Sequence, residues 1–257
     1  MRFVLIHGGF HGAWCWSRVI PELRALGHDA VAIDLPGHGA RRDEPSTLES
    51  RRAAILDVLR PNDVLVGHSG GGYDITLAAD ASPEKVGHLV YLAAGLPLEG
   101  RPLLEASGGR PAHQLGDSSE IQLMTDETGM SRFIRSDARG RMECFDFDGV
   151  RDFFYHDCNE ETARWAFSQL SPAPVEFLQQ PIRLPNFWGA DLPRSYIVCL
   201  QDRAVPRNLS AEFFGRLGVE PLEIDASHSP FLSMPRNTAE LLVKGTMTRP
   251  VGPLRPS

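Results

Sequence analysis

The chain has 257 residues, 42% of them hydrophobic and 23% charged, proportions that exclude a disordered, collagenous or coiled-coil protein. At about 150 residues per domain the length corresponds to about 1.7 domains, so either two small domains or one large elaborated one is admitted. Against 26 Lys and Arg stand 33 Asp and Glu, a net charge of -7 with histidine neutral, and an acidic chain without a long basic run repels phosphate backbones and anionic lipid. Neither nucleic acid nor a membrane is therefore an expected partner. The longest apolar runs, Phe3 to Ile6 and His88 to Ala94, are far shorter than the roughly 20 residues of a bilayer span. No apolar run with a small-residue cleavage site follows Met1. Cys15, Cys144, Cys158 and Cys199 form no CxxC pair, so free thiols in a reducing cytoplasm, and no metal, are expected.

In chain order, the first 95 residues alternate short apolar runs with longer amphipathic segments, which is the pattern of βαβ units around a parallel sheet. Strands are expected at Arg2 to Ile6, Ala30 to Ile33, Asp63 to Val66 and His88 to Leu92. Helices are expected at Trp16 to Ala25, Thr47 to Leu59 and Ser69 to Ala79. The apolar runs are nearly continuous, as helices on both faces of a sheet require. From about Leu98 to Pro185 the rhythm breaks into Gly- and Pro-containing loops, an aromatic segment at Phe145 to Tyr155 and a helical pattern at Glu160 to Leu170. It resumes with a strand at Ser195 to Leu200, a helix at Asn208 to Leu217, a strand at Pro221 to Ile224 and a helix near Thr238 to Thr246. The expected organisation is a core of residues 1–97 and 186–257 with residues 98–185 inserted as a cap. The proline-bearing tail, Arg249 to Ser257, is expected to lack fixed structure.

Gly67-His68-Ser69-Gly70-Gly71 matches G-x-S-x-G, in which a serine occupies a sharp strand-to-helix turn and glycines relieve the crowding around it. The three fixed positions alone recur by chance in roughly one chain in ten, so context decides. Val64-Leu65-Val66 enters the motif as a strand, and Tyr73, Ile75 and Leu77 leave it on a helical pattern. A serine hydroxyl is a weak nucleophile and needs a histidine base oriented by a carboxylate. Asp202 and His228 follow the expected strands at 195–200 and 221–224, on loops where α/β sheets place ligands, and the order Ser, Asp, His is the one such an elbow uses. Asp225 and Asp191 compete for the acid; His38 and His156 are weaker bases. The amides of Gly9, in His7-Gly8-Gly9-Phe10, and of Gly70 are suited to hold a developing oxyanion.

With these residues placed, the chain resembles the plant methylesterase and hydroxynitrile lyase branch of the α/β-hydrolases. The resemblance rests on Phe3-Val4-Leu5-Ile6-His7-Gly8, His11-Gly12-Ala13-Trp14-Cys15-Trp16, the serine motif, and Tyr155-His156-Asp157-Cys158-Asn159-Glu160-Glu161. It implies an α/β fold with a mostly parallel sheet and an inserted lid, a triad of Ser69, Asp202 and His228, and no cofactor. It further implies a small-molecule ester or lactone as substrate, with Phe10, His11 and Tyr155 as candidate substrate contacts. The lyases of this branch carry a threonine after the first-strand histidine and a lysine after the catalytic histidine. Here Gly8 and Ser229 stand in those places, so hydrolysis is favoured over cyanohydrin cleavage. Cofactor-free C–C chemistry and a ligand-binding receptor with vestigial hydrolysis stay open, as does a homodimeric assembly. The aromatic residues Phe133, Phe145, Phe147, Phe153, Phe154, Tyr155 and Trp165 are read mainly as the cap's own core.

Overall fold

The computed structural model describes residues 1–106 and 129–257; the loops expected over 107–128 lie outside them. Six parallel strands, β1 (Arg2–Ile6), β2 (Asp29–Ile33), β3 (Asp63–His68), β4 (Val86–Leu92), β7 (Arg194–Cys199) and β8 (Leu222–Ile224), lie side by side in the order β2-β1-β3-β4-β7-β8. Between them run α1 (Val19–Ala25), α2 (Leu48–Leu56), α3 (Gly71–Ala81) and α7 (Arg207–Leu217), and α8 (Pro230–Ser233) and α9 (Pro235–Gly245) close the chain. Side chains alternate between the two faces of a sheet whose inner strands are buried and whose edge strands β2 and β8 are partly exposed. Phe3, Leu5, Val66, Leu92 and Ile197 pack with Val19, Leu23 and Leu242 of α1 and α9. Val4, Ile6, Leu65, Tyr91 and Tyr196 pack with Ile55, Ile75 and Phe213 of α2, α3 and α7 on the opposite face. Because both faces are covered, every residue of β3 and of β7 is buried, which is why these strands read as continuous apolar runs.

Three of the helix boundaries that differ from the sequence expectation do so for a backbone reason. The helix expected from Trp16 splits into a 3-10 turn at Ala13–Trp16 and α1 from Val19. Pro21 lacks an N–H, so the first turn is the place where it costs no helical hydrogen bond. The helix expected to run to Leu59 stops at Leu56, ahead of Arg60-Pro61, where the proline ring disfavours helical geometry in its predecessor. The last helix begins earlier than expected, at Pro235, a first-turn proline.

Between β4 and β7 the chain leaves the sheet and forms α4 (Leu103–Ala106), an antiparallel pair of β5 (Ile134–Ser136) and β6 (Met142–Cys144), α5 (Phe147–Phe154) and α6 (Glu160–Gln169). Asp146 caps α5 by accepting the Gly149 amide at 2.7 Å, and Asn159 caps α6 by accepting the Thr162 amide at 2.8 Å, each relieving an orphan donor of the first turn. This excursion sits over the C-terminal ends of the strands, joined to them by Ser171 N–H to Phe10 O at 2.9 Å and by Arg18 to Thr162 Oγ1 at 3.2 Å.

The tail corrects the expectation of a structureless terminus. Val251 and Gly252 amides both donate to Gly218 O, Arg255 donates to Arg216 O, and Leu254 is buried in the apolar core. Arg194 and Arg216 explain why: each buries its guanidinium and donates to main-chain carbonyls, among them Gly252 O at 2.7 Å and Pro256 O at 2.8 Å.

Candidate active site

Ser69 stands between the end of β3 and the start of α3 with φ at 53°. A non-glycine residue in this left-handed region is strained, by about 1 kcal/mol or more, and persists only where its neighbours fix it. Here they do. Ser69 N–H donates to Leu92 O at 3.2 Å, and Ser69 O accepts from Gly72 N at 3.1 Å and Gly95 N at 3.0 Å. The turn is so tight that a Cβ at Gly67 would lie 2.5 Å from Gly71 O, which accounts for the first glycine of the motif.

Asp202 lies in the turn that follows β7. Its Oδ1 accepts the amides of Ala204 at 2.8 Å and Val205 at 2.9 Å, leaving Oδ2 to face His228 Nδ1 at 2.8 Å. Both side chains are almost fully buried. With Nδ1 donating to the carboxylate, the imidazole tautomer places Nε2 as the acceptor for a hydroxyl proton. The competing acids are elsewhere: Asp225 accepts from Gln201 on the surface, and Asp191 lines a different cavity. Sequence reasoning passed over His68, the variable residue of the serine motif, whose Nε2–H donates to His228 O at 2.9 Å. No local pattern announces a contact across 160 residues.

Gly9 and Gly70 come together at the same place: a Cβ at Gly70 would lie 3.8 Å from Gly9 N. His7 orients the peptide that ends in the Gly9 amide. Its Nε2 accepts from Leu35 N at 3.1 Å, so Nδ1 carries the proton and donates to Gly8 O at 2.8 Å. Burial pushes the His7 pKa down to about 4, which keeps the ring neutral. His11 does the same for the next peptide, its Nδ1–H donating to Gly9 O at 2.8 Å while Nε2 accepts the Tyr155 hydroxyl at 2.7 Å. Burial pushes His11 to about 3.

A cavity of about 470 Å³ opens onto Ser69, His228, Gly9 and Gly70, within the range typical of small-molecule sites. Phe10, Met130, Ile134, Met142, Phe153, Phe154, Leu178, Leu209 and Phe213 make most of its described wall, and the half-exposed Arg203, paired with Asp152 of α5, is the one Lys or Arg among the described lining residues. Phe10 and His11 line the cavity. Tyr155 does not: it is fully buried behind His11, and its hydroxyl is spent on the histidine. Of the other aromatic residues, Phe133 packs edge-on and tilted against Phe154 and Phe153, Phe147 packs on Phe167, and Phe145 and Trp165 are partly exposed. Among the described residues no group of three His, Cys, Asp or Glu side chains is gathered in a metal-holding arrangement.

The model of the alpha/beta hydrolase family matches residues 3–241. Esterase PIR7B of Oryza sativa subsp. japonica is 44% identical over 259 residues, covering 95% of this chain and 94% of that protein. Methylesterase 7 of Arabidopsis thaliana is 31% identical over 258 residues, 95% of each chain. Among solved structures, an extracellular alpha/beta-hydrolase from a Paenibacillus species, described as sharing structural and functional homology with tobacco salicylic acid binding protein 2, superposes with a TM-score of 0.74 at 26% identity, covering 95% of this chain and 98% of that one. The parallel sheet, the serine on its left-handed elbow and this full-length likeness make the chain a member of the alpha/beta hydrolase family.

Proposed function

We propose that the protein is a serine hydrolase of carboxylic esters that works through an acyl-enzyme on Ser69. The observation that carries it is the Asp202–His228 contact of 2.8 Å in a cavity that also exposes Ser69 and the converging Gly9 and Gly70. His228 Nε2 takes the Ser69 proton as Oγ attacks the ester carbonyl carbon. The oxyanion that forms accepts hydrogen bonds from the Gly9 and Gly70 amides, an arrangement worth several kcal/mol, about 3–4 for one donor where it has been removed. His228 then gives its proton to the departing alkoxide, and a water deprotonated by the same nitrogen releases the acid. Homology to proteins named esterase and methylesterase supports the same chemistry.

The apolar and aromatic cavity wall favours a small ester or lactone with an apolar or aromatic acyl group. Residues 98–185 act as a cap on a core of 1–97 and 186–257. Cyanohydrin cleavage is disfavoured by crowding: a Cβ at Gly8 would stand 2.7 Å from Ser69 Cβ, so the lyases' threonine has no room there. No helix among the described residues is long and apolar enough to cross a membrane. The four cysteines are free, as thiols of a reducing cytoplasm are, and fractionation tests that location.

Ser69→Ala is expected to abolish p-nitrophenyl acetate turnover and phosphonate labelling while leaving the unfolding transition intact. Retained turnover overturns the acyl-enzyme. Tight ligand binding by the wild type with negligible turnover across an ester panel would point instead to a receptor.

A further inference from the structure

The turn between α5 and α6 carries a carboxylate that the mechanism above does not use. Asp157 Oδ2 accepts the Ser227 amide at 2.9 Å and the Ser233 hydroxyl at 2.7 Å, and Oδ1 accepts the Ser227 hydroxyl at 2.5 Å. The three donors bracket His228 on both sides in sequence. Ser227 and Ser229 are completely buried, so bulk solvent does not reach this loop to replace a lost partner, and an acceptor-only group with two oxygens suits three converging donors.

On the assignment of His228 as the base, we propose that Asp157 is a positioning residue for it: the excursion between β4 and β7 fixes the main chain from which the catalytic imidazole projects. His228 is then held from three directions. Asp202 orients its ring, His68 Nε2–H holds its carbonyl at 2.9 Å, and Asp157 holds the amide and hydroxyl of the preceding residue. Two of these holds come from the elements of the sheet and one from the excursion. Two residues before Asp157 in the same turn, Tyr155 reaches His11 and through it the Gly9 carbonyl. One turn therefore braces both the base loop and the oxyanion loop. A catalytic group displaced by about 1 Å loses on the order of 100-fold in rate, so the brace bears on kcat and not on the apolar wall that binds substrate.

Asp157→Ala is expected to lower kcat and the rate of Ser69 phosphonylation at least about tenfold, with KM within about threefold, and Asp157→Asn to recover most of the loss. In the Asn variant the side-chain oxygen keeps the Ser227 amide and Ser233, and the Ser227 hydroxyl turns its proton to Phe154 O, already 3.0 Å away. Glu160→Gln, which removes a surface ion pair of the neighbouring helix, serves as control with unchanged kcat. If Asp157→Ala does not fold, the Ser227→Ala and Ser233→Ala double variant, which withdraws two donors from the other side, is expected to show the same split at a severalfold scale. A kcat within threefold of wild type in the decisive variant, or a loss carried by KM, overturns the role of Asp157. Persistent activity in His228→Ala would instead overturn the base assignment, so the two failures are distinct.

Discussion

At the scale of single residues, the site is framed by His7, His11 and His68, which burial keeps neutral, each with a tautomer set by its partners. His11 is the clearest case: one nitrogen donates to Gly9 O and the other accepts from Tyr155. Removing the hydroxyl in Tyr155→Phe leaves Nε2 buried without a donor, which costs about 1–3 kcal/mol. The expected result is a lower urea midpoint with an unchanged slope and a KM close to wild type. A raised KM at unchanged stability would return Tyr155 to the substrate, where the sequence alone had placed it. The motif that drew attention to Tyr155 marks a residue of the site's frame, and sequence cannot distinguish a side chain aimed at the cavity from one aimed at the cavity's wall.

At the scale of elements, the six strands of the sheet and most core helices are legible because burial imposes its pattern on the chain, whereas β5 and β6, three residues each in a segment read as loops, are too short to show one, and the ends of helices follow local stereochemistry at Pro21, Pro61 and Pro235. The tail was misread for a different reason. Its fixing partners are two arginines far away in sequence, Arg194 and Arg216, which donate to Gly252 O and Pro256 O, and a proline-rich composition gives no sign of that. Deleting residues 251–257 withdraws carbonyl acceptors from both buried cations and removes Leu254 from the core. Lost hydrogen bonds to charged groups and lost apolar burial together cost about 2–4 kcal/mol, a fall in Tm of roughly 5–15 °C for a chain of this size. Thermal unfolding by circular dichroism checks this; an unchanged Tm would mean that the tail rests on the surface without holding it.

At the scale of the whole molecule, the proposed triad is legible in the sequence because its members sit at strand ends in a fixed order, while His68 and Asp157, which tie those ends together, act through contacts spanning 160 and 70 residues. The same inward packing has a consequence for acid stability. Burial pushes His7 to about 4 and His11 to about 3, and lowers His38 and His68 well below their ordinary value. In the unfolded chain each titrates near 6.5, so below that pH the unfolded state binds protons that the folded state refuses, and stability falls as pH drops. Above about pH 6.5 these groups are neutral in both states and add no slope. At pH 5 His7 and His11, with folded-state values near 4 and 3, each favour unfolding by about 2 kcal/mol, and the burial of His38 and His68 acts in the same direction. Urea midpoints are therefore expected to be flat from pH 8 to about 6.5 and to fall steeply between about 6 and 4.5, with the loss continuing toward the folded-state values near 4 and 3. A midpoint that held steady down to pH 5 would mean that these rings accept protons in the folded state, and with that the neutral tautomers that orient Gly8 O and Gly9 O would be wrong.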